Sequence, residues 1–134
     1  MELKDPELFT LKDRAAEMNL NIPILVEGKH DVDALREIGF KGHLIKINRG
    51  VSLDLFAEMI ARNFRKIILL TDFDRKGQSI KARLQVLLSS YGCEINLEFW
   101  DFIYRNYKIK SVEDIPWLME KVLSEATNSN GKRH

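Results

Sequence analysis

Three acidic side chains in this sequence stand where they could do chemistry. Glu27 lies in Val26-Glu27-Gly28-Lys29-His30-Asp31, and Asp72 and Asp74 lie in Thr71-Asp72-Phe73-Asp74-Arg75-Lys76-Gly77. Each segment directly follows a short apolar run. Asp72 and Asp74 are two residues apart, so on an extended backbone their carboxylates point the same way. If the runs before Glu27 and Asp72 are neighbouring strands, three carboxylates converge within a few ångströms. Such a group cannot stay fully ionised unaided: repulsion raises at least one pKa, or a cation neutralises the charge. Hard oxygen donors without imidazole or thiolate favour Mg²⁺ or Mn²⁺ over zinc. Asp31 is a helix N-terminal acid and a secondary candidate for supporting the metal.

Cations surround these acids. Lys29, Arg49, Arg75, Lys76, Lys81 and Arg83 fall near the same positions and could grip phosphates. Each taken singly also suits a solvated surface. Arg49, in the turn Asn48-Arg49-Gly50 after another apolar run, is the best individual candidate, with Asn48 a secondary one. His30 suits a helix cap better than a phosphate contact. Gly28 would let the backbone leave its strand sharply or approach a ligand, and Gly77 would do the same at a helix entrance. That entrance, with its unpaired N–H groups, also suits an anion. The alternative for all three acids is an ordinary role as solvated helix caps.

The elements that must position these residues follow from the apolar pattern. Asp5-Pro6 suits a helix start, and Leu8, Leu11, Ala15 and Met18 mark one face to about Asn19. Ile22–Val26, Leu44–Ile47, Ile67–Thr71 and Cys93–Leu97 read as four strands. The first and third are apolar on both faces, as in a covered parallel sheet. Helices lie between them: about 30–38 before Gly39, another capped by Ser52 with Leu55, Phe56, Met59 and Ile60, and one carrying Ile80, Leu84, Leu87 and Leu88 before Gly92. Pro116 opens a last helix, about 115–126, with Asp114 as a plausible cap, and 128–134 reads as a disordered tail. The segment from Phe99 to Lys110 mixes rings and bases, the composition that holds single strands. Packing of Trp100, Phe102 and Tyr104 under the last helix with Trp117 is the preferred reading, leaving Arg105, Lys108 and Lys110 exposed. Strands alternating with helices imply right-handed βαβ units and a mainly parallel sheet between helical layers. Ligands of such sheets bind at the carboxyl ends of the strands, where these acids fall.

Bulk properties set limits. The 134 residues suit one domain over 1–134, 45% are hydrophobic and 31% charged, and the formal net charge of +1 argues neither for nor against a polyanion partner, so only local clusters matter. The single cysteine, Cys93, excludes an intrachain disulfide and a multi-thiolate zinc site; it reads as a buried apolar thiol. No apolar run approaches the roughly 20 residues of a membrane span, and the acidic amphipathic N-terminus lacks the basic-then-apolar form of a signal peptide. A cytoplasmic protein with no membrane partner is expected.

Glu27-Gly28 after one strand and Asp72-x-Asp74-x-x-Gly77 after a later one resemble the Toprim domain, shared by topoisomerases, bacterial-type primases, OLD-family nucleases and a ribosomal-RNA maturation nuclease. The resemblance covers about residues 22–104 and is closest to the small stand-alone, primase-like Toprim proteins of archaea and bacteria. It implies a compact three-layer α/β/α, Rossmann-like fold with a mainly parallel four-stranded sheet, in the order 2-1-3-4 so that Glu27 meets the aspartates. By the same resemblance Glu27 is the general acid/base and also a metal residue, Asp72 and Asp74 hold Mg²⁺ (or Mn²⁺) with it, and Gly28 and Gly77 are the family's glycines. Departures narrow the activity. Gln78 stands where type IA topoisomerases usually have a glutamate after the glycine, and neither a nucleophilic-tyrosine domain nor a primase's zinc-binding domain fits in this length. The expectation is Mg²⁺-dependent phosphoryl transfer on nucleic acid, RNA or DNA, as a nuclease or a primase-like nucleotidyl transferase. The alternative is a non-catalytic Mg²⁺- and nucleic-acid-binding module working with partner proteins in a larger assembly. A phosphoacceptor or phosphatase-like α/β domain is a weaker third reading, because its key aspartate normally follows the first strand, where Glu27 stands.

Overall fold

The computed structural model describes residue 2 and residues 4–47 and 50–131. Helices and strands alternate: α1 (Lys4–Asn19), β1 (Ile24–Val26), α2 (Lys29–Glu37), β2 (Leu44–Lys46), α3 (Leu53–Asn63), β3 (Lys66–Leu69), α4 (Arg75–Ser90), β4 (Glu94–Asn96), α5 (Glu98–Asn106) and α6 (Ile115–Gly131). A 3-10 turn, Val112–Asp114, leads into α6. The four strands form one parallel sheet in the order β2-β1-β3-β4, the expected α/β arrangement. Ile24 lies opposite both Leu44 and Ile68, and Leu25 opposite both Ile45 and Leu69.

Side-chain alternation along the two central strands splits the core in two. Ile24, Val26 and Ile68 face one layer with Leu8 and Leu11 of α1, Leu35 of α2, Phe99 and Ile103 of α5, and Leu118 and Val122 of α6. Leu25, Ile67 and Leu69 face the other, with Phe56 and Ile60 of α3, Leu84 and Leu88 of α4, and Cys93. Both faces of β1 and β3 are therefore covered, which is why their sequences read as unbroken apolar runs. The two short edge strands are only partly buried. Among the described residues no helix is long and apolar enough to cross a membrane.

Local signals behave largely as the sequence indicates. Ser52 caps α3 by accepting from the Leu55 N–H at 3.1 Å, and Gly39 and Gly92, after α2 and α4, take positive φ values of 101° and 82°. Four details differ. Asp5 does not stand outside α1 as its cap; it is buried in the first turn, where it accepts from the Glu2 N–H and the Tyr107 hydroxyl. Asp114 closes the 3-10 turn that precedes α6. Residues 128–131 of the expected tail continue α6 to Gly131, and 132–134 lie outside the described residues. Most consequential, Glu98–Asn106 forms a helix of its own, α5, with Phe99, Trp100 and Ile103 buried. Trp117 does not cover it; that ring is exposed on α6, with the Lys121 amine 5.1 Å from its centre.

The end of α1 is tied to the sheet by one buried amide. Asn19, 1% exposed, donates to the Ile22 and His43 carbonyls at 3.0 and 3.1 Å and accepts from the Gly42 N–H at 2.9 Å. Of those three backbone groups the His43 carbonyl keeps the Ile24 N–H at 3.0 Å, while the Ile22 carbonyl and the Gly42 N–H lose the partner the amide gives them. Asn19→Ala is expected to cost about 2–3 kcal/mol, read as a lower midpoint in urea denaturation with an unchanged slope.

Candidate active site

Parallel pairing of β1 with β3 brings their carboxyl ends side by side, so Glu27 and Asp72 leave the sheet at the same edge. The Glu27 carboxylate, 8% exposed, accepts the Asp72 backbone N–H at 2.8 Å through Oε2. Asp72 is held in turn from the far end of the chain: its Oδ1 accepts from the Val112 N–H at 2.9 Å. The loop between the aspartates is pinned on all sides. The Phe73 N–H donates to the Lys110 carbonyl at 2.9 Å, the Trp100 indole N–H to the Thr71 carbonyl at 2.8 Å, and the Thr71 hydroxyl to the Gly77 carbonyl at 2.9 Å.

Asp74 has a different local task. It is the N-cap of α4, its Oδ1 accepting from the Gly77 N–H at 2.7 Å. This fold of the chain requires glycine at 77, because a Cβ there would lie 2.0 Å from the Asp72 carbonyl oxygen. Gly28 is otherwise. Its backbone is extended (φ −157°, ψ −177°) and a Cβ would meet nothing within 4 Å, so neither conformation nor packing calls for glycine. The space beside it is open.

Burial and crowding set the electrostatics. Burial first, and then the charges of Asp72 and Asp74, push the Glu27 carboxyl above its ordinary range, partly offset by the Asp72 N–H bond and by Lys76. Asp72 is pushed up by burial first and by the charges of Asp74 and Asp114, partly offset by the Val112 N–H bond. Asp31, 7% exposed and accepting from the Gly28 N–H at 3.0 Å, is pushed to about 6 by burial and by the field of Asp72, Glu27 and Glu113. Among the described residues no three His, Cys, Asp or Glu side chains are gathered closely enough to enclose a metal ion by themselves. The expected three-carboxylate cluster is thus a Glu27–Asp72 pair, with Asp31 buried beside it and Asp74 turned to its helix. That donor set still suits Mg²⁺, which typically takes one or two carboxylates and keeps several waters. It is all oxygen, it is anchored by backbone N–H groups, and its mutual repulsion is what a dication relieves.

The cations divide. Lys29, Arg75 and Lys76 are exposed at this edge. Lys76 and Arg83 line a cleft of about 290 Å³ that runs from Glu27 along Ile47, Val51, Leu53 and Ile80. Lys81 turns the other way, its amine 4.2 Å from the centre of the Trp100 ring. His30 is exposed. Asn48 and Arg49 lie outside the described residues. Cys93 is buried, and burial pushes its thiol up, which suits packing and not nucleophilic attack. Sequence reasoning missed Trp100, Lys110 and Val112 as supports of the aspartate loop. Two of them act through backbone atoms, which leave no residue-type signal; the aromatic richness of 99–107 was the only available hint.

Comparison with known proteins bears on what this edge is for. The family model of the Toprim domain matches residues 23–99, more than half of the chain and spanning Glu27, Asp72, Asp74 and Gly77. The chain belongs to the Toprim family. Among its relatives, a UPF0292 protein of Thermoplasma volcanium is 40% identical over 103 residues, covering 77% of this chain and 87% of the relative. A UPF0292 protein of Thermococcus kodakarensis is 34% identical, covering 75% and 76%. The solved structure of a protein from Aquifex aeolicus is similar with a TM-score of 0.65 at 29% identity, over 82% of this chain and 96% of that one. Toprim membership carries a metal-dependent, nucleic-acid-related function in general, and Toprim domains generally bind Mg²⁺.

Two outcomes follow from this Toprim site. The raised pKa of Asp31 means that its neutral form contributes stability fully present below its ordinary pKa of 3.8 and lost as pH rises through about 6. Asp31→Asn keeps an acceptor for the Gly28 N–H and removes the charge, so in EDTA its melting temperature at pH 7.5 should rise and its difference from pH 5 should shrink. Gly77→Ala forces Asp72 and the start of α4 apart; a loss of roughly 1–3 kcal/mol in chemical denaturation is expected, with weakened Mg²⁺ binding in calorimetry.

Proposed function

We propose that this Toprim domain performs Mg²⁺-dependent phosphoryl transfer on nucleic acid, with hydrolysis favoured over nucleotidyl transfer. The observation that carries the reading is the Glu27–Asp72 pair: two carboxyls anchored side by side, both pushed above the ordinary carboxylate range. A carboxyl tuned toward neutral pH can hold and release a proton during turnover, and Glu27 is the residue assigned that exchange with an attacking or leaving oxygen. Asp72 would hold the metal, with Asp74 through the carboxylate oxygen its α4 cap does not use and Glu27 beside them; the ion when bound would supply charge neutralisation at the transferring phosphate and orient the reacting oxygens. Lys29, Arg75 and Lys76 would take the flanking phosphates as positioning contacts without base readout. The open space beside Gly28 leaves room for a sugar-phosphate backbone to approach the acids. Hydrolysis asks only for metal, water and this backbone grip, whereas priming also asks for two nucleotide sites.

A second reading starts from Asp74, which already serves as the cap of α4. In it the same acids bind Mg²⁺ and RNA or DNA without turnover, as a module acting with partner proteins.

The test is a calorimetric titration of Mg²⁺ and Mn²⁺ into the wild type and the Asp72→Asn/Asp74→Asn double variant, alongside labelled single-stranded and structured RNA and DNA. Metal binding should disappear in the double variant. Glu27→Gln should bind oligonucleotide as the wild type does and cleave it at least about a hundredfold more slowly. Metal binding with no cleavage of any substrate and no incorporation of nucleoside triphosphates would establish the module instead. No metal binding at all would leave the acids as helix caps and refute both readings.

A further inference from the structure

The aromatic segment does more than fill the core. Phe73, between the two aspartates, lies 5.4 Å from the Trp100 ring, and Trp100 stacks on Tyr104 at 4.9 Å and 21°. Phe73 and Trp100 are buried, whereas Tyr104 is 47% exposed. A ladder of rings thus runs from the aspartate loop to the surface and ends on an open face. Gln78 braces that end: its amide N–H donates to the Phe73 carbonyl at 3.0 Å, and its carbonyl oxygen accepts from the Tyr104 hydroxyl at 3.3 Å. A glutamate at 78 could not do both, having no donor when ionised. Gln78, Lys81, Trp100, Asp101, Tyr104 and Arg105 line a groove of about 440 Å³ around the ring. Lys81 and Arg105 supply its positive charge. The Lys81 amine lies 3.9 Å from Asp101 and also over the indole.

We propose that the exposed face of Tyr104 is a stacking platform for a base of single-stranded nucleic acid, with Lys81 and Arg105 on the neighbouring phosphates. The chemistry matches one occupant. A splayed base offers a flat face to a rigidly backed ring and its phosphates offer negative charge to two cations, while a duplex keeps its base faces stacked inside. A strand lying here is led to Asp72 and Asp74 because the ring ladder, Gln78 and the Trp100–Thr71 bond are all fixed to the aspartate loop. The proposal rests on the nucleic-acid reading above and gives it a substrate class, single strands.

Equilibrium binding separates the two. A fluorescein-labelled 12-nucleotide single strand, as DNA and as RNA, is titrated with protein in EDTA, where no turnover occurs, and followed by anisotropy; the duplex of the same sequence is run beside it. Tyr104→Ala should weaken single-strand binding about tenfold, Tyr104→Phe should stay within about twofold of wild type, and duplex binding should change less than twofold in either. The side chain is half exposed, so both variants should keep their circular dichroism and melting transition. Tyr104→Ala binding like the wild type, or losing single strand and duplex equally, would overturn the platform while leaving the metal-site reading intact. No binding of any single strand by the wild type in EDTA would overturn the platform, and the same failure after Mg²⁺ replaces the EDTA would overturn the nucleic-acid reading on which it stands.

Discussion

A single hydrogen bond, from the Asp72 backbone N–H to the Glu27 carboxylate, joins the two halves of the site across 45 positions of sequence. It can form only because β1 and β3 are adjacent and parallel and end at the same edge. The same bond brings Glu27 into the field of Asp72 and Asp74 while burying it, so it opposes with one hand the rise in pKa that it causes with the other. A carboxylate placed like this is stabilised by the amide dipole and destabilised by its neighbours. Perturbed carboxyls of this kind cluster at functional sites, and structural ion-pair networks produce them too.

The aspartate loop would not hold this arrangement alone. A short irregular segment leaving a strand carries backbone groups that need partners, and here Lys110 and Trp100 supply them while the Val112 N–H holds the Asp72 carboxylate, all far along the chain. The helices α5 and α6 therefore serve the site as well as the core. Their apolar faces close one side of the sheet, and the turn between them reaches back to fix Asp72 and Phe73. Core packing and site geometry share the same elements, so damage to one is expected to appear in the other.

How much of this was legible beforehand can be judged residue by residue. The strands around Ile24–Val26 and Ile67–Leu69 were plain, since central parallel strands are apolar on both faces. The Ser52 cap and the stops at Gly39 and Gly92 were equally plain, because each is a local rule met by a local residue. The α5 helix was not. Its Glu98–Asn106 segment has rings on several sides and lies beside a strand, so periodicity alone could not separate a packed helix from a binding stretch. Trp100 turned out to be core, as the preferred reading had it, but Tyr104 stayed at the surface and Trp117 stayed away.

By itself the sequence determined the acids and their order, the apolar runs that force them to strand ends, and a motif pattern specific enough to name the family. Those are properties of residue type and spacing, and spacing survives without coordinates. Only the tertiary structure decided which acids meet. It pairs Glu27 with Asp72, buries Asp31 beside them and gives Asp74 to the cap of α4. It also recruits Lys110 and Val112 through backbone atoms that carry no signature of residue type. The physical reason is the same in each case: a backbone N–H is identical at every non-proline position, so which one reaches a carboxylate is settled by packing at long range and not by the letters nearby.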